Sequence, residues 1–427
     1  MRRPITHAGA LIRGLVVIGV TLGFTVVAPH LAAAQEVPYT PPSHTEAQGV
    51  VAEPDLLTRL TLLVDRNLSK GDVSNGHSID LWTMIPDAGG IAVGTGYRHW
   101  YGGDTVLVHG SAAMSQRGYK AAQARFELPS LAHSRLGLGT QFLWQDFAPI
   151  DYFGTGPATH EAARSEYRLQ SKSVAGVATL RPTSWLDVTA QVGWLKPSVM
   201  ASSGALRRNV APTRDAFVSD PVFAGPDAPT FVPTEVSITI DGRDFPSHPT
   251  RGVLLRGAAA QYDDRDTGAF TFKRYESEAA GFLPIGGGRV VLAVHGWAVT
   301  TETKPGRMVP FYLQPNLGGA NTIRGYADYR FQDRNLMVVN AEARLALMTH
   351  LDIALFADAG NVAAERRDLN FDKQSYGAGL RLHTRRTTFA RFDAARGDEG
   401  WRFVFRMTDP LDLSRLSRRA AVAPFVP

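Results

Sequence analysis

From about Ser78 to near residue 408, apolar and polar residues alternate with a period of two. Ile91-Ala92-Val93-Gly94-Thr95-Gly96-Tyr97 and Thr105-Val106-Leu107-Val108-His109-Gly110 are early examples. In 375–383, Tyr376, Ala378, Leu380 and Leu382 alternate with Ser375, Gly377, Gly379, Arg381 and His383. In 401–407, Trp401, Phe403, Phe405 and Met407 alternate with Arg402, Val404 and Arg406. A soluble sandwich alternates too, but it buries its apolar face in a core. Here the polar face repeatedly carries full charges, while the apolar face mixes small residues with Leu, Val and aromatics. That pattern suits strands with lipid on one side and a wet interior on the other. Strands in lipid must close, because an open edge leaves backbone groups unsatisfied.

The pattern therefore predicts an all-β chain, a transmembrane antiparallel β-barrel of about sixteen strands, an even number as in bacterial single-chain barrels. Their centres fall near residues 82, 95, 110, 124, 140, 173, 191, 239, 258, 277, 295, 341, 356, 379, 392 and 404. The long gaps at 148–164, 198–232, 302–333 and 362–373 all follow odd-numbered strands. Gaps after even strands are short, as at Arg181-Pro182-Thr183-Ser184 and Pro284-Ile285-Gly286-Gly287-Gly288. Short periplasmic turns and long external loops are expected of such barrels, so the odd connections are placed outside.

A different period precedes the barrel. Pro54 begins a helical pattern in which Leu56, Leu57, Leu60, Leu63, Val64 and Leu68 share a face, and Gly71 ends it. A packing role, a plug and a docking helix all fit this amphipathic segment. At the start of the chain, Arg2, Arg3 and Arg13 precede an apolar run from Leu15 to Ala28. That run, about fourteen residues, is short of the roughly twenty that span a bilayer as a helix. With Leu31-Ala32-Ala33-Ala34 after it, the segment reads as a cleaved signal peptide over 1–34. The expected organisation is then a linker and short helix over 35–77, a barrel over 78–408 and a basic tail over 409–427 carrying Arg415, Arg418 and Arg419.

Composition narrows the chemistry. The chain has no cysteine among its 427 residues, which removes disulfide staples, thiol nucleophiles and a lipid-anchored N-terminal cysteine. Its formal charge of +5 includes the signal-region arginines and forms no nucleic-acid face. No Gly-x-Ser-x-Gly elbow and no His-Glu-x-x-His or Cys/His ligand spacing occurs, so no catalytic residue, metal or cofactor is expected. Gly286-Gly287-Gly288 lacks the Lys-Ser/Thr of a phosphate loop and reads as a turn, and His160-Glu161 sits in a polar loop.

One stretch, Phe311 to Gly360, concentrates the remaining signals. Leu317-Gly318-Gly319 followed by Ile323-Arg324-Gly325-Tyr326 resembles the characteristic loop motif of the BamA/TamA surface-antigen superfamily of outer-membrane barrels. Phe356-Ala357-Asp358-Ala359-Gly360 resembles that family's Phe-x-Asp-x-Gly strand motif. Ile240-Asp241-Gly242-Arg243-Asp244, with Pro246 and Pro249 before Gly252, and Asp151-Tyr152-Phe153-Gly154-Thr155-Gly156 resemble two further family segments. The resemblance covers roughly residues 78 to 408 and implies a barrel that inserts or translocates other proteins. Unfolded outer-membrane or exported proteins would be its clients, with outer-membrane lipid around it and the barrel-assembly machinery needed for its own biogenesis. Only about forty residues lie between the expected mature start near Gln35 and the first strand. That is too few for one of the family's periplasmic docking domains, so none is expected.

Strand phase gives the stretch a geometry without the family. Val339, Ala341, Ala343, Leu345 and Leu347 face lipid, so Asn340, Glu342 and Arg344 face the lumen. Leu351, Ile353, Leu355, Ala357 and Ala359 do the same for Asp352, Phe356, Asp358 and Gly360. Glu342 and Asp358 therefore face one cavity from adjacent strands, where they suit the guanidinium of Arg324 as a loop clamp by charge-assisted bonds. Ordinary solvated lumen charges would give the same pattern. In the last strand, Asp398-Glu399-Gly400-Trp401-Arg402-Phe403-Val404-Phe405 resembles the assembly signal of barrel precursors, carried by Gly400, Trp401, Phe403 and Phe405. Three functions remain open: a protein-insertion or translocation barrel, a passive or gated channel with the loop as its plug, and a surface-exposed binding protein using the loops at 198–232 and 148–164.

Overall fold

The computed structural model describes residues 49–70, 75–80, 84–103, 105–202, 210–223 and 228–407. The expected signal peptide at 1–34 and the basic tail at 409–427 lie outside these residues, as does the linker up to residue 48. Among the described residues, sixteen strands form one antiparallel meander, and three further strands are two-residue segments in the loops. The sixteen are β1 (Gly76–Asp80), β2 (Ala92–Tyr101), β3 (Val106–Ser115), β4 (Lys120–Ser130), β5 (Leu136–Tyr152), β6 (Ser165–Thr183), β7 (Leu186–Ala201) and β8 (Phe231–Asp241). They continue as β9 (Gly252–Asp264), β10 (Phe272–Ile285), β11 (Val290–Thr303), β12 (Asn335–Met348), β13 (Leu351–Ala363), β14 (Lys373–His383), β15 (Thr388–Gly397) and β16 (Gly400–Arg406). Every strand pairs with its sequence neighbour, from Gly76 opposite Arg98 in the first ladder to Arg391 opposite Arg406 in the last.

Fifteen of the expected centres fall inside these strands. The first does not: β1 ends at Asp80, two residues before the expected centre at 82, and residues 81–83 lie outside the described set. The barrel thus begins at Gly76 rather than 78, because pairing of Gly76–Asp80 with β2 sets the register, not the alternation that runs on past it.

The two strand faces separate as the alternation requires. Val93, Phe126, Val236, Leu355, Trp401 and Phe403 are among the large apolar side chains left exposed, on the outward face where lipid replaces water. The inward face holds buried charges, among them Glu278, Glu342, Arg344, Asp358, Arg381, Arg391 and Asp393. Contacts that skip many strands show the sheet curling round an interior. Asp87, between β1 and β2, lies 3.8 Å from Arg391 of β15. Asp328 lies 3.4 Å from Arg117 of the β3–β4 turn and 3.6 Å from Arg406 of β16. A barrel of about sixteen strands is wide enough to leave an aqueous lumen, so what fills it matters.

External connections fill much of the outer end. Phe311, Tyr312 and Leu313, in the connection 304–334, are buried. Phe311 lies 4.8 Å from the Tyr152 ring, 5.1 Å from Tyr167 and 5.6 Å from Phe223. Phe217 packs 4.9 Å from Tyr152. Phe217 and Phe223, from the stretch 210–223, therefore contribute to a cap, while Val218 beside them stays exposed. Removing 213–223 is expected to unpack Phe311, which reduced thermal stability of the folded barrel would report.

One even connection departs from expectation. Residues 242–251, between β8 and β9, form a longer, braced loop rather than a tight turn. Arg243 holds Asp241 through Nε and Nη2 at 2.9 and 3.0 Å, while Asp244 accepts from Phe245 N, Thr250 N and Thr250 Oγ1. So braced, the loop folds back against the barrel, where Thr388 N donates to Ser247 O at 3.1 Å.

The helix α1 (Asp55–Lys70) forms where the apolar spacing predicts one, but Leu56 and Leu60 of the expected face are exposed and Thr61 is buried instead. The chain before it is tied to the same end of the barrel. Val51 N donates to Leu347 O at 2.8 Å, and Glu53 accepts from His350 N at 2.7 Å, with His350 Nδ1 at 2.8 Å from its second oxygen. Burial would raise the Glu53 carboxyl, but hydrogen bonds from His350 and Thr58 outweigh it and hold it below its ordinary value of 4.5. A carboxyl lowered by docking stabilises the docked state above its ordinary value, and that contribution is lost as pH falls through the lowered one. Glu53→Gln, or acidification through that range, should speed hydrogen exchange at the Val51 amide while leaving the strands protected.

Candidate functional site

The register of β12 and β13 places the two carboxylates. Asn340 lies opposite Asp358 and Glu342 opposite Phe356, so Glu342 and Asp358 sit one diagonal step apart on the inward face. Both are buried, and so is Arg324, at 1 % exposure. The guanidinium lies between them: Nη2 donates to Asp358 Oδ1 at 2.6 Å, Nε to Asp358 Oδ2 at 3.0 Å, and Nη1 to Glu342 Oε2 at 2.6 Å. The Arg324 backbone N–H also donates to Asp358 Oδ2 at 3.0 Å, and the guanidinium carbon lies 3.5 Å from the centre of the Phe356 ring. A planar fork that bonds two carboxylates and stacks on a ring is an arginine geometry; a lysine would match the charge alone.

The carboxylates have further partners that the motifs did not single out. Asp358 accepts from Asn340 Nδ2 at 2.8 Å and Ser375 Oγ at 3.0 Å. Glu342 accepts from Arg344 Nε at 3.0 Å and Arg381 Nη2 at 3.0 Å. Arg381 Nη1 donates to Asp393 Oδ1 at 2.6 Å, and Arg391 donates to loop atoms, Ala320 O at 3.1 Å and Asn321 Oδ1 at 2.7 Å. The charged cluster thus runs from the loop across β12, β13, β14 and β15. Its signal in the sequence is the inward phase of Arg381 and Ser375 on β14, continued at Arg391 and Asp393 on β15.

The motif glycines and apolar residues shape the loop itself. Gly318 and Gly319 have φ of +115° and +99°, and a Cβ would lie 2.2 Å from Ala327 O at the first and 2.4 Å from Asp328 Oδ1 at the second. Gly325 abuts the wall, where a Cβ would lie 2.6 Å from Ser375 Cβ and 2.7 Å from Gly397 N. Gly325→Ala is therefore expected to push the loop away from β14 and β15 and lower the folded yield, read by gel mobility before and after heating. Ile323 and Tyr326 are buried with Leu317, Phe331, Leu336, Val338 and Val362, an apolar patch above the charges. Tyr326 OH donates to Asp398 Oδ2 at 3.1 Å, and Gly360 lies on the lumen face one step beyond Asp358.

The other resemblances fall at both ends of this loop's surroundings. Gly156 N donates to Gln332 O at 2.8 Å, and Phe153 lies 4.9 Å from the Arg330 guanidinium, so the 151–156 segment packs on the 304–334 connection. The 240–252 segment is the braced loop at the opposite end. In β16, Gly400 opens the strand with φ of +112°, Trp401 and Phe403 point outward, and Phe405 packs 4.7 Å from Phe392. Glu399 accepts from Arg330 Nε at 2.7 Å, a contact that no sequence motif marks.

The fold is similar to solved structures. BamA from Haemophilus ducreyi lacking POTRA domains 1-3 matches with a TM-score of 0.57 and 12% identity over 82% of this chain and 78% of that one. CdiB from Escherichia coli matches with a TM-score of 0.50 and 14% identity over 77% of this chain and 61% of that one. At these identities the likeness concerns the fold. No curated protein matches the chain. The Omp85 superfamily domain matches residues 102–408, from the β2–β3 turn through the last strand, and by that match the chain belongs to the Omp85 superfamily of outer-membrane β-barrels.

Proposed function

We propose that this barrel inserts or translocates other proteins at the bacterial outer membrane, with the 304–334 connection clamped in its lumen by Arg324, Glu342 and Asp358. The observation that carries the reading is the bidentate bond of buried Arg324 to Asp358 together with its bond to Glu342. A charged loop side chain fixed inside a wide lumen restricts free passage through the middle. Client chains are then handled at the wall, where the seam between β1 and β16 is the place for the barrel to open. Unfolded outer-membrane or exported proteins are the client class.

A gated channel is the second reading, favoured by the cap that Phe311 forms with Tyr152, Tyr167 and Phe223 over the outer end. Purified barrel in liposomes separates the two. Faster insertion of unfolded barrel precursors than in protein-free liposomes supports the first. No acceleration, with a stable open pore in planar bilayers, supports the second.

A further inference from the structure

Beside the Arg344 and Arg381 side of the charged cluster, where Arg344 Nη1 donates to Pro249 O at 3.3 Å, three side chains from distant parts of the chain meet. His248 comes from the braced loop 242–251, Asp352 from the start of β13 and His383 from the end of β14. All three are buried, and one ligand atom from each lies within 4.8 Å of the other two. The imidazoles stack 4.1 Å apart at 12°.

One hydrogen bond fixes which His383 nitrogen is free to bind. His383 Nδ1 lies 3.0 Å from Thr384 O, and a carbonyl only accepts, so Nδ1 carries the hydrogen. In the neutral ring, Nε2 then presents a lone pair, and it lies 3.2 Å from Asp352 Oδ1 without a hydrogen bond. A ring lone pair and a carboxylate oxygen this close repel unless a proton or a metal ion lies between them. His248 Nδ1 lies 3.0 Å from Thr388 Oγ1, a hydroxyl that can either donate or accept. A ring nitrogen tied to a carbonyl or hydroxyl while the other is left free is how metal-binding histidines are held.

We propose that His248, Asp352 and His383 form a binding site for a first-row divalent cation of the Zn2+ type. Two imidazoles and one carboxylate suit such an ion and leave one position for water. An ion there would join the 242–251 loop to β13 and β14, adding a bond to the backbone contact of Ser247 with Thr388. His350, which holds Glu53 of the N-terminal segment, lies 6.4 Å from His383, so the site adjoins that docking point. Local spacing gives no hint of it, because the ligands stand at 248, 352 and 383 and meet only when the 242–251 loop folds back against the paired β13 and β14.

The test is Zn2+ titration of the refolded, full-length barrel in detergent, with folding confirmed by heat-dependent gel mobility. One Zn2+ per chain is expected, weakened at least roughly tenfold in His248→Ala, Asp352→Asn and His383→Ala. His160→Ala, on an exposed external connection, should bind as the unaltered chain does. His248 is in no strand, so its variant decides the matter even where a strand variant does not fold. Absence of stoichiometric Zn2+ binding, or binding undiminished in His248→Ala, would overturn the proposal.

Discussion

Arg324→Ala is expected to damage folding and activity far more than Arg307→Ala, in the same external connection. The cause is the charge left behind more than the contact removed. Asp358 would retain Asn340 and Ser375 as side-chain donors, but it would lose the only cation bonded to it among the described residues. Removing one partner of a buried ion pair typically costs about 3–5 kcal/mol, because the other charge stays buried. The apolar patch works against release, since fully burying one side chain such as Ile323 contributes roughly 1.5–3 kcal/mol. The two magnitudes are comparable, so the loop should loosen at its charged tip rather than leave the lumen wholesale. Asp358→Asn in the Arg324→Ala background should recover part of the lost stability by removing the stranded charge. Thermal melts of the folded barrels, with Arg307→Ala as reference, check both statements. Equal melting of Arg324→Ala and Arg307→Ala would contradict the clamp.

Glu342→Gln should be at least as damaging, for the opposite reason. Glu342 is the one carboxylate bonded to Arg324, Arg344 and Arg381 together, with Nη1 of Arg324 at 2.6 Å and the others at 3.0 Å. Neutralising it leaves three buried guanidiniums gathered round a neutral side chain, with Asp358 still bonded to Arg324 and Asp393 to Arg381. The expected loss is again about 3–5 kcal/mol or more. It should appear as failed assembly rather than as altered client specificity. A Glu342→Gln barrel that folds in normal yield would show that the network is solvated enough to do without its central carboxylate.

What the chain disclosed beforehand followed from strand periodicity. Alternation located the strands because one face meets lipid and the other a charged lumen, and strand phase put Glu342 and Asp358 inward before any contact was known. The sharing of Glu342 by Arg344 and Arg381 was less visible, since it depends on which rotamer each long side chain adopts. Asp398 and Glu399 read as part of a terminal strand signal, yet they meet Tyr326 and Arg330 because the β15–β16 turn stands beside the folded-in loop. The 242–251 connection stood out only as a family-like segment. Its return into the barrel rests on the Asp241–Arg243 and Asp244–Thr250 braces, which spacing alone does not reveal. The histidine and aspartate set lay beyond reach altogether, because His248 joins Asp352 and His383 only when the β8–β9 loop folds back against β13 and β14.

The chain's lack of cysteine makes the central claim directly measurable with a single introduced thiol. Ile323 is fully buried beside Arg324, so Ile323→Cys reports whether the loop tip stays in the lumen. A membrane-impermeant thiol reagent applied to folded barrels should leave Ile323→Cys unmodified when Arg324 is present and modify it readily in the Arg324→Ala background. Equal modification rates in the two backgrounds would contradict a loop held by that arginine.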